Sequence, residues 1–144
     1  MLPGTTAFIS ALDWNNGLRQ RIAPKPRHPA SVLTVNYNGS GVAEAFFQPE
    51  PFFASDDVDA LYPKLAMETA VALFICAVIR QEKCRFSYGM KWNLERMKGS
   101  TICLPAIADG KPDYDFMRSY IAALPFSATA GGVDKVEPSA ITAA

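Results

Sequence analysis

At 144 residues, with 49% hydrophobic and 19% charged side chains, the chain is sized for one domain with a real core and is too apolar for a disordered protein or an acidic tail. Its 14 basic and 14 acidic residues cancel, which argues against a tight, autonomous, nonspecific DNA binder, because that affinity comes mostly from neutralising phosphates. The charge is segmented all the same: residues 1–36 carry +3, 37–63 carry −5, 64–104 carry +4 and 105–144 carry −2, so a basic face is allowed.

In chain order, residues 6–9 read as a short strand. Asp13-Trp14-Asn15-Asn16-Gly17 reads as a turn, since Asn and Gly tolerate positive φ. Arg19, Arg21, Lys25 and Arg27 follow, and Pro24, Pro26 and Pro29 among them predict an extended basic loop. Such a loop can touch phosphates or simply connect two elements. The β-branched and aromatic run 31–37, the turn Asn38-Gly39-Ser40-Gly41 and the apolar run 42–48 form a β-hairpin candidate. Short strands are expected again at 52–54 and 58–62, separated by a turn at Asp56-Asp57.

From about Leu65 the period changes. Met67, Val71, Phe74, Ile75, Val78 and Ile79 recur at spacings of three and four, which predicts a helix apolar over most of its surface and packed into the interior. Its apolar run 70–79 is about half the length needed to cross a bilayer, so no membrane partner is expected. Arg80, Lys83 and Arg85 then suit the negative end of the helix dipole. Residues 101–104 read as a last strand stopped by Pro105, Asp109-Gly110-Lys111-Pro112 as a turn, and Asp113 as the start of a helix to about Leu124 with Phe116, Tyr120, Ile121 and Leu124 on one face. Beyond Pro125 the composition reads as a tail. The fold class expected is α+β: a twisted, mostly antiparallel small sheet packed on one buried helix, with a short C-terminal helix.

Nothing in the sequence supplies a catalytic engine. His28 has no nucleophile motif near it, and there is no GxSxG, P-loop, GxGxxG after a strand or HExxH. Cys76, Cys84 and Cys103 make no CxxC pair, so neither a zinc site nor a disulfide framework is indicated, and a reduced, cytoplasmic setting is the default. Asp56, Asp57 and Asp59 could coordinate a metal, although strand alternation explains Asp57 and Asp59 as the polar face of a half-buried strand, opposite Val58. No catalytic residue, metal or cofactor is expected, and binding is the leading class.

The stretch 84–105 is the most distinctive. Between Arg80 and Lys98 six basic residues meet two acidic ones, with Phe86, Tyr88 and Trp92 interspersed. That mixture suits a nucleic-acid surface, or a solvated helix end whose aromatics turn inward. The run from Phe86 through Tyr88-Gly89, Trp92-Asn93-Leu94-Glu95-Arg96-Met97 and Ser100 to Pro105 resembles the C-terminal part of a target recognition domain. Such domains belong to DNA specificity subunits of restriction-modification systems, in the BcgI-like and type I-related branch. Asn15-Asn16-Gly17, Ala45-Phe46-Phe47-Gln48-Pro49, Asp56-Asp57-Val58, Leu73-Phe74-Ile75 and Asp109-Gly110-Lys111-Pro112-Asp113 resemble further pieces of the family in the same order. Two positions depart from it: Met90 and Cys103 stand where members commonly carry cations.

The resemblance implies one target-recognition-like domain over 1–127, truncated at its N-terminus, and a flexible tail over 128–144. It implies a non-catalytic module that reads part of a double-stranded DNA target for a separate methyltransferase or restriction subunit. Asn15, Asn16, Arg19 and Arg21 are then the candidate base readers, because Asn pairs bidentately with adenine and Arg with guanine. Lys91, Arg96 and Lys98 are candidate phosphate contacts, which position without specifying. The alternative is a truncated remnant that docks on a catalytic subunit without reading DNA.

Overall fold

Val32, Leu33, Thr34, Val35 and Asn36 are buried one after another, the pattern of a strand covered on both faces. This strand, β3 (Val32–Asn36), organises the computed structural model, which describes residues 2–39, 41–87, 89–125 and 127–129. It pairs antiparallel with β4 (Ala45–Gln48) on one side and β6 (Val58–Leu61) on the other. A second three-stranded sheet has β1 (Pro3–Ile9) at its centre, antiparallel to β2 (Leu18–Ile22) and parallel to β5 (Phe52–Ala54). The fold is α+β and mostly antiparallel, with the strands divided between two sheets rather than joined in one.

The two-residue period of β3 decides what lies on each face. Leu33 and Val35, paired with Phe47 and Ala45, face one apolar cluster with Ala72, Cys76, Ile79 and Trp92. Val32 joins Ala7, Ile9, Phe52 and Val58 in a second cluster on the first sheet's side. The buried helix α1 (Thr69–Gln81) therefore covers one face of the β3 sheet, and the β1 sheet covers the other.

Several expectations need correction. Arg19 and Arg21 lie on β2 rather than in a loop, because the prolines that forbid regular structure begin only at Pro24 and β1 offers a free edge before them. Helix α1 starts at Thr69, not near Leu65; Glu68 before it is extended, and Leu65 and Ala66 are exposed. Residues 101–104 form no strand: Ile102 packs against the core cluster, but the segment has no ladder partner among the described residues. Their alternation reflects one-sided packing. A short helix, α2 (Leu94–Gly99), was not foreseen, and its Leu94 is exposed.

The closing helix α3 (Tyr114–Ala123) is capped as expected, with the Asp113 carboxylate accepting from the Phe116 N–H at 2.8 Å. Its buried face is Met117, Ile121 and Ala122; Phe116, Tyr120 and Leu124 are exposed. Phe116 and Tyr120 still meet α1, through ring contacts with Phe74 at 6.3 and 5.6 Å. Of the expected tail over 128–144, residues 130–144 lie outside the described residues, as do Ser40 of the hairpin turn and Tyr88 of the distinctive stretch. No helix among the described residues is long and apolar enough to cross a membrane.

Candidate nucleic-acid interface

The turn between β1 and β2 is built from residues that tolerate left-handed backbone. Asn15, Asn16 and Gly17 have φ of 52°, 54° and 73°. At Gly17 the requirement is also steric, since a Cβ there would lie 3.0 Å from the Ile9 Cγ2. The Asn15 amide donates to the Leu18 carbonyl at 2.8 Å. That of Asn16 donates to the Phe47 carbonyl at 2.9 Å, and the Gln48 amide donates to the Asn16 carbonyl at 3.1 Å and to the Thr34 Oγ1 at 3.0 Å. Both asparagine amides thus close bonds inside the protein.

Beside them on β2 the two arginines differ. Arg21 holds Glu50 through both guanidinium nitrogens, at 2.6 and 3.1 Å, and donates to the Thr5 carbonyl at 2.7 Å. The hydrogen bond from Arg21 lowers the Glu50 pKa, and the same bond raises that of Arg21. Arg19 is exposed and has no carboxylate partner among the described residues. It also sits at a β-bulge: Ile9 pairs with Leu18 and Phe8 with Gln20, so Arg19 is the extra residue opposite neither. Such a bulge turns a side chain away from the sheet's ordinary alternation. Arg19 lines an open polar cleft of about 310 Å³ with Phe8, Ser10, Leu12, Ser55 and Asp57. Further along, Lys25 is exposed and the Arg27 guanidinium lies over the Phe53 ring at 4.6 Å.

The basic-aromatic stretch resolves into mostly paired charges. The Glu44 carboxylate, in a residue only 8% exposed, is gripped by Arg80 at 3.0 Å and by Lys83. Arg85 pairs with Glu82 at 2.7 Å. On α2, Lys98 lies 3.7 Å from Glu95, and the Arg96 guanidinium donates to the Lys91 carbonyl at 2.7 Å. Lys91 has no carboxylate partner among the described residues. Trp92 is buried, stacked on Phe86 at 4.8 Å, and its Nε1–H donates to the Ser100 hydroxyl at 3.0 Å. Phe86 and Trp92 therefore turn inward. Beneath α2 runs a separate apolar groove of about 240 Å³, whose lining includes Val35, Leu61, Trp92, Met97 and Lys98.

The seven expected DNA-contacting residues consequently fall in two regions. Asn15, Asn16, Arg19 and Arg21 gather at the β1–β2 end of the first sheet, and Lys91, Arg96 and Lys98 around α2. The two clefts share no lining residue. Sequence reasoning passed over Trp14, 63% exposed in the same turn as Asn15, and over Ser10 and Ser55 of the polar cleft, and weighed Asp57 only as a metal ligand. A Trp flanked by Asp and Asn in a predicted turn was a usable signal for Trp14; the cleft arises from strand pairing that no local spacing encodes. Among the described residues no group of three or more His, Cys, Asp or Glu side chains is arranged to hold a metal ion.

Comparison with known proteins adds two findings. The family model described as the type I restriction modification DNA specificity domain matches residues 2–127. A curated relative from Heyndrickxia coagulans, described as the type II restriction enzyme BgcI specificity subunit S.BcgI, is 44% identical over 126 residues, covering 84% of this chain and 36% of the relative. The chain thus spans little more than a third of that relative's length. No solved structure matches it.

Proposed function

The chain belongs to the type I restriction modification DNA specificity domain family, and on that premise we propose that it is a DNA sequence-recognition module acting for a separate catalytic subunit. What carries this reading is that the family match runs through every described strand and through α1, α2 and α3, so the whole domain, rather than one motif, is the shared unit. The module would have no catalysis of its own; methyl transfer or cleavage would reside on a partner subunit, in the cytoplasm with the DNA.

Within that reading the residues divide by what they already hold. Asn15, Asn16 and Arg21 are bonded internally and would shape the turn and strand that face the DNA. Arg19 would enter the major groove, and the exposed Trp14 beside it would contact the duplex. Lys91, Arg96 and Lys98 would lie along phosphates and set orientation without specifying sequence. With zero formal charge and so many cations paired to carboxylates, the chain alone would bind random DNA weakly and depend on the catalytic subunit for affinity.

The test is fluorescence anisotropy of labelled random duplexes at low salt, titrated with the chain alone and with a cognate methyltransferase subunit. Binding that tightens with the subunit present is expected. Co-purification with that subunit and no DNA binding in either form would sink the reading and leave an assembly role in its place.

A further inference from the structure

Within the polar cleft, a cation and an anion share one wall system without pairing to each other. Arg19 and Asp57 both line it, yet no Arg19–Asp57 ion pair forms. A cleft that served only to hold the fold would be expected to close that pair, because an unpaired opposite charge nearby is the ready partner for each. Asp57 is instead oriented from behind: the Asn38 amide donates to its Oδ1 at 2.7 Å, and its backbone carbonyl accepts from the Tyr37 N–H at 3.2 Å. The Asn38 bond engages one carboxylate oxygen, and Asp57 forms no ion pair among the described residues. Arg19 is aimed at the same space by the bulge in β2.

The floor of the cleft carries a second, independent observation. The hydroxyls of Ser10 and Ser55 are buried and make no hydrogen bond among the described residues, and Ser10 is 6% exposed. They are neighbours because β1 and β5 run parallel and end together, with the Ser55 N–H donating to the Ile9 carbonyl at 2.8 Å. Two adjacent buried hydroxyls without partners are costly unless something polar reaches them. A ligand edge entering between Arg19 and Asp57 would meet them.

Resting on the reading that the chain binds duplex DNA, we propose that this cleft reads one G·C base pair in the major groove. Arg19 donates to the guanine O6 and N7, and Asp57 accepts from the cytosine N4 amino group. The chemistry selects that pair. A guanidinium fork matches the two adjacent acceptors of guanine, a carboxylate matches the cytosine amino donor, and a G·C pair alone presents two acceptors on one base beside a donor on the other in that order. An A·T pair puts an amino donor against Arg19 and an acceptor against Asp57. The serine hydroxyls, able to donate or accept, complete the contact without choosing a base.

The experiment selects duplexes from a randomised pool with the full chain in complex with a cognate methyltransferase subunit, then repeats the selection with Arg19→Ala, Arg19→Lys and Asp57→Ala in the same complex. The wild-type chain should retain a motif containing a fixed G·C pair. Arg19→Ala should erase the preference at that pair alone, leave the others, and weaken binding to the selected duplex by about 5- to 150-fold, the range of a bidentate base contact. Arg19→Lys keeps the charge but not the fork and should lose the same preference with little change on random DNA. In the selected duplex, 7-deazaguanine at that position removes N7 and should weaken the wild-type chain while leaving Arg19→Ala unaffected. If Arg19→Ala weakens all duplexes equally, or the deaza substitution is silent, Arg19 is a phosphate contact and the inference fails while the proposed function stands. A wild-type chain that retains no motif overturns both.

Discussion

The side-chain amide of Asn16 donates to the main-chain carbonyl of Phe47, 31 residues away, at 2.9 Å. This bond ties the β1–β2 turn of one sheet to β4 of the other, and the reciprocal bond from Gln48 to the Asn16 carbonyl closes the latch. The position of Arg19, three residues on, depends on it. Asn16→Ala would leave the Phe47 carbonyl and the Gln48 side chain short of partners in a half-buried setting, at a cost of roughly 1–3 kcal/mol. Urea unfolding followed by circular dichroism should show the midpoint fall with the slope unchanged. Unchanged stability with lost DNA binding would assign Asn16 to base contact instead.

Glu44 poses a sharper electrostatic case. Its carboxylate is nearly covered, while Arg80 and Lys83 reach it from the solvent side of α1 and the turn that follows. Glu44→Gln would lose two charge-assisted bonds, and because both cations keep access to water the loss is discounted to about 1–2 kcal/mol. Arg80 also lies over the Phe46 ring at 4.9 Å, so it would stay in place. The check is thermal unfolding of the variant beside Lys83→Gln, which should lose less because Arg80 still answers the carboxylate.

The three cysteines should separate by reactivity. Burial pushes the Cys76 thiol up to about 12, whereas Cys84 and Cys103 are exposed. Since the thiolate is the reactive form, iodoacetamide at pH 8 should modify two cysteines in the folded chain. Mass spectrometry should find the third alkylated only when denaturant is added. Rapid modification of Cys76 in the folded state would contradict the packing of α1 on the β3 sheet.

His28 predicts a pH dependence of stability. Its ring stacks on Phe52 at 4.8 Å with Nδ1 2.6 Å from the Tyr62 hydroxyl, and burial first, then the Arg27 charge, lowers its pKa. A folded-state pKa below the unfolded value of about 6.5 means the neutral ring stabilises the fold above that pH. The contribution is lost as pH falls through the lowered value. Unfolding free energies at pH 7 and pH 5 should therefore differ more for the wild-type chain than for His28→Gln.

Much of this fold was legible because local chemistry agreed with the final packing. The run from Val32 to Asn36, the Asn-Asn-Gly turn and the Asp113 cap each follow from one residue's conformational or bonding preference, and each formed as expected. What escaped were matters of partnership. Whether strands join one sheet or two depends on contacts across the whole chain, and Arg19 and Arg21 have the same local pattern although Glu50 claims only one of them. The basic-aromatic stretch left two readings open for the same reason: Glu44, far upstream, pairs with two of its cations, and Trp92 faces the core. The ordered motifs carried the family, but residue roles waited on the pairing.

The most direct measurement is deep sequencing of the duplexes that the wild-type chain, with the proposed catalytic partner added, retains from a fully randomised pool. Enrichment of a short motif with fixed positions, a G·C pair among them, is expected. A retained pool as random as the starting one would contradict it.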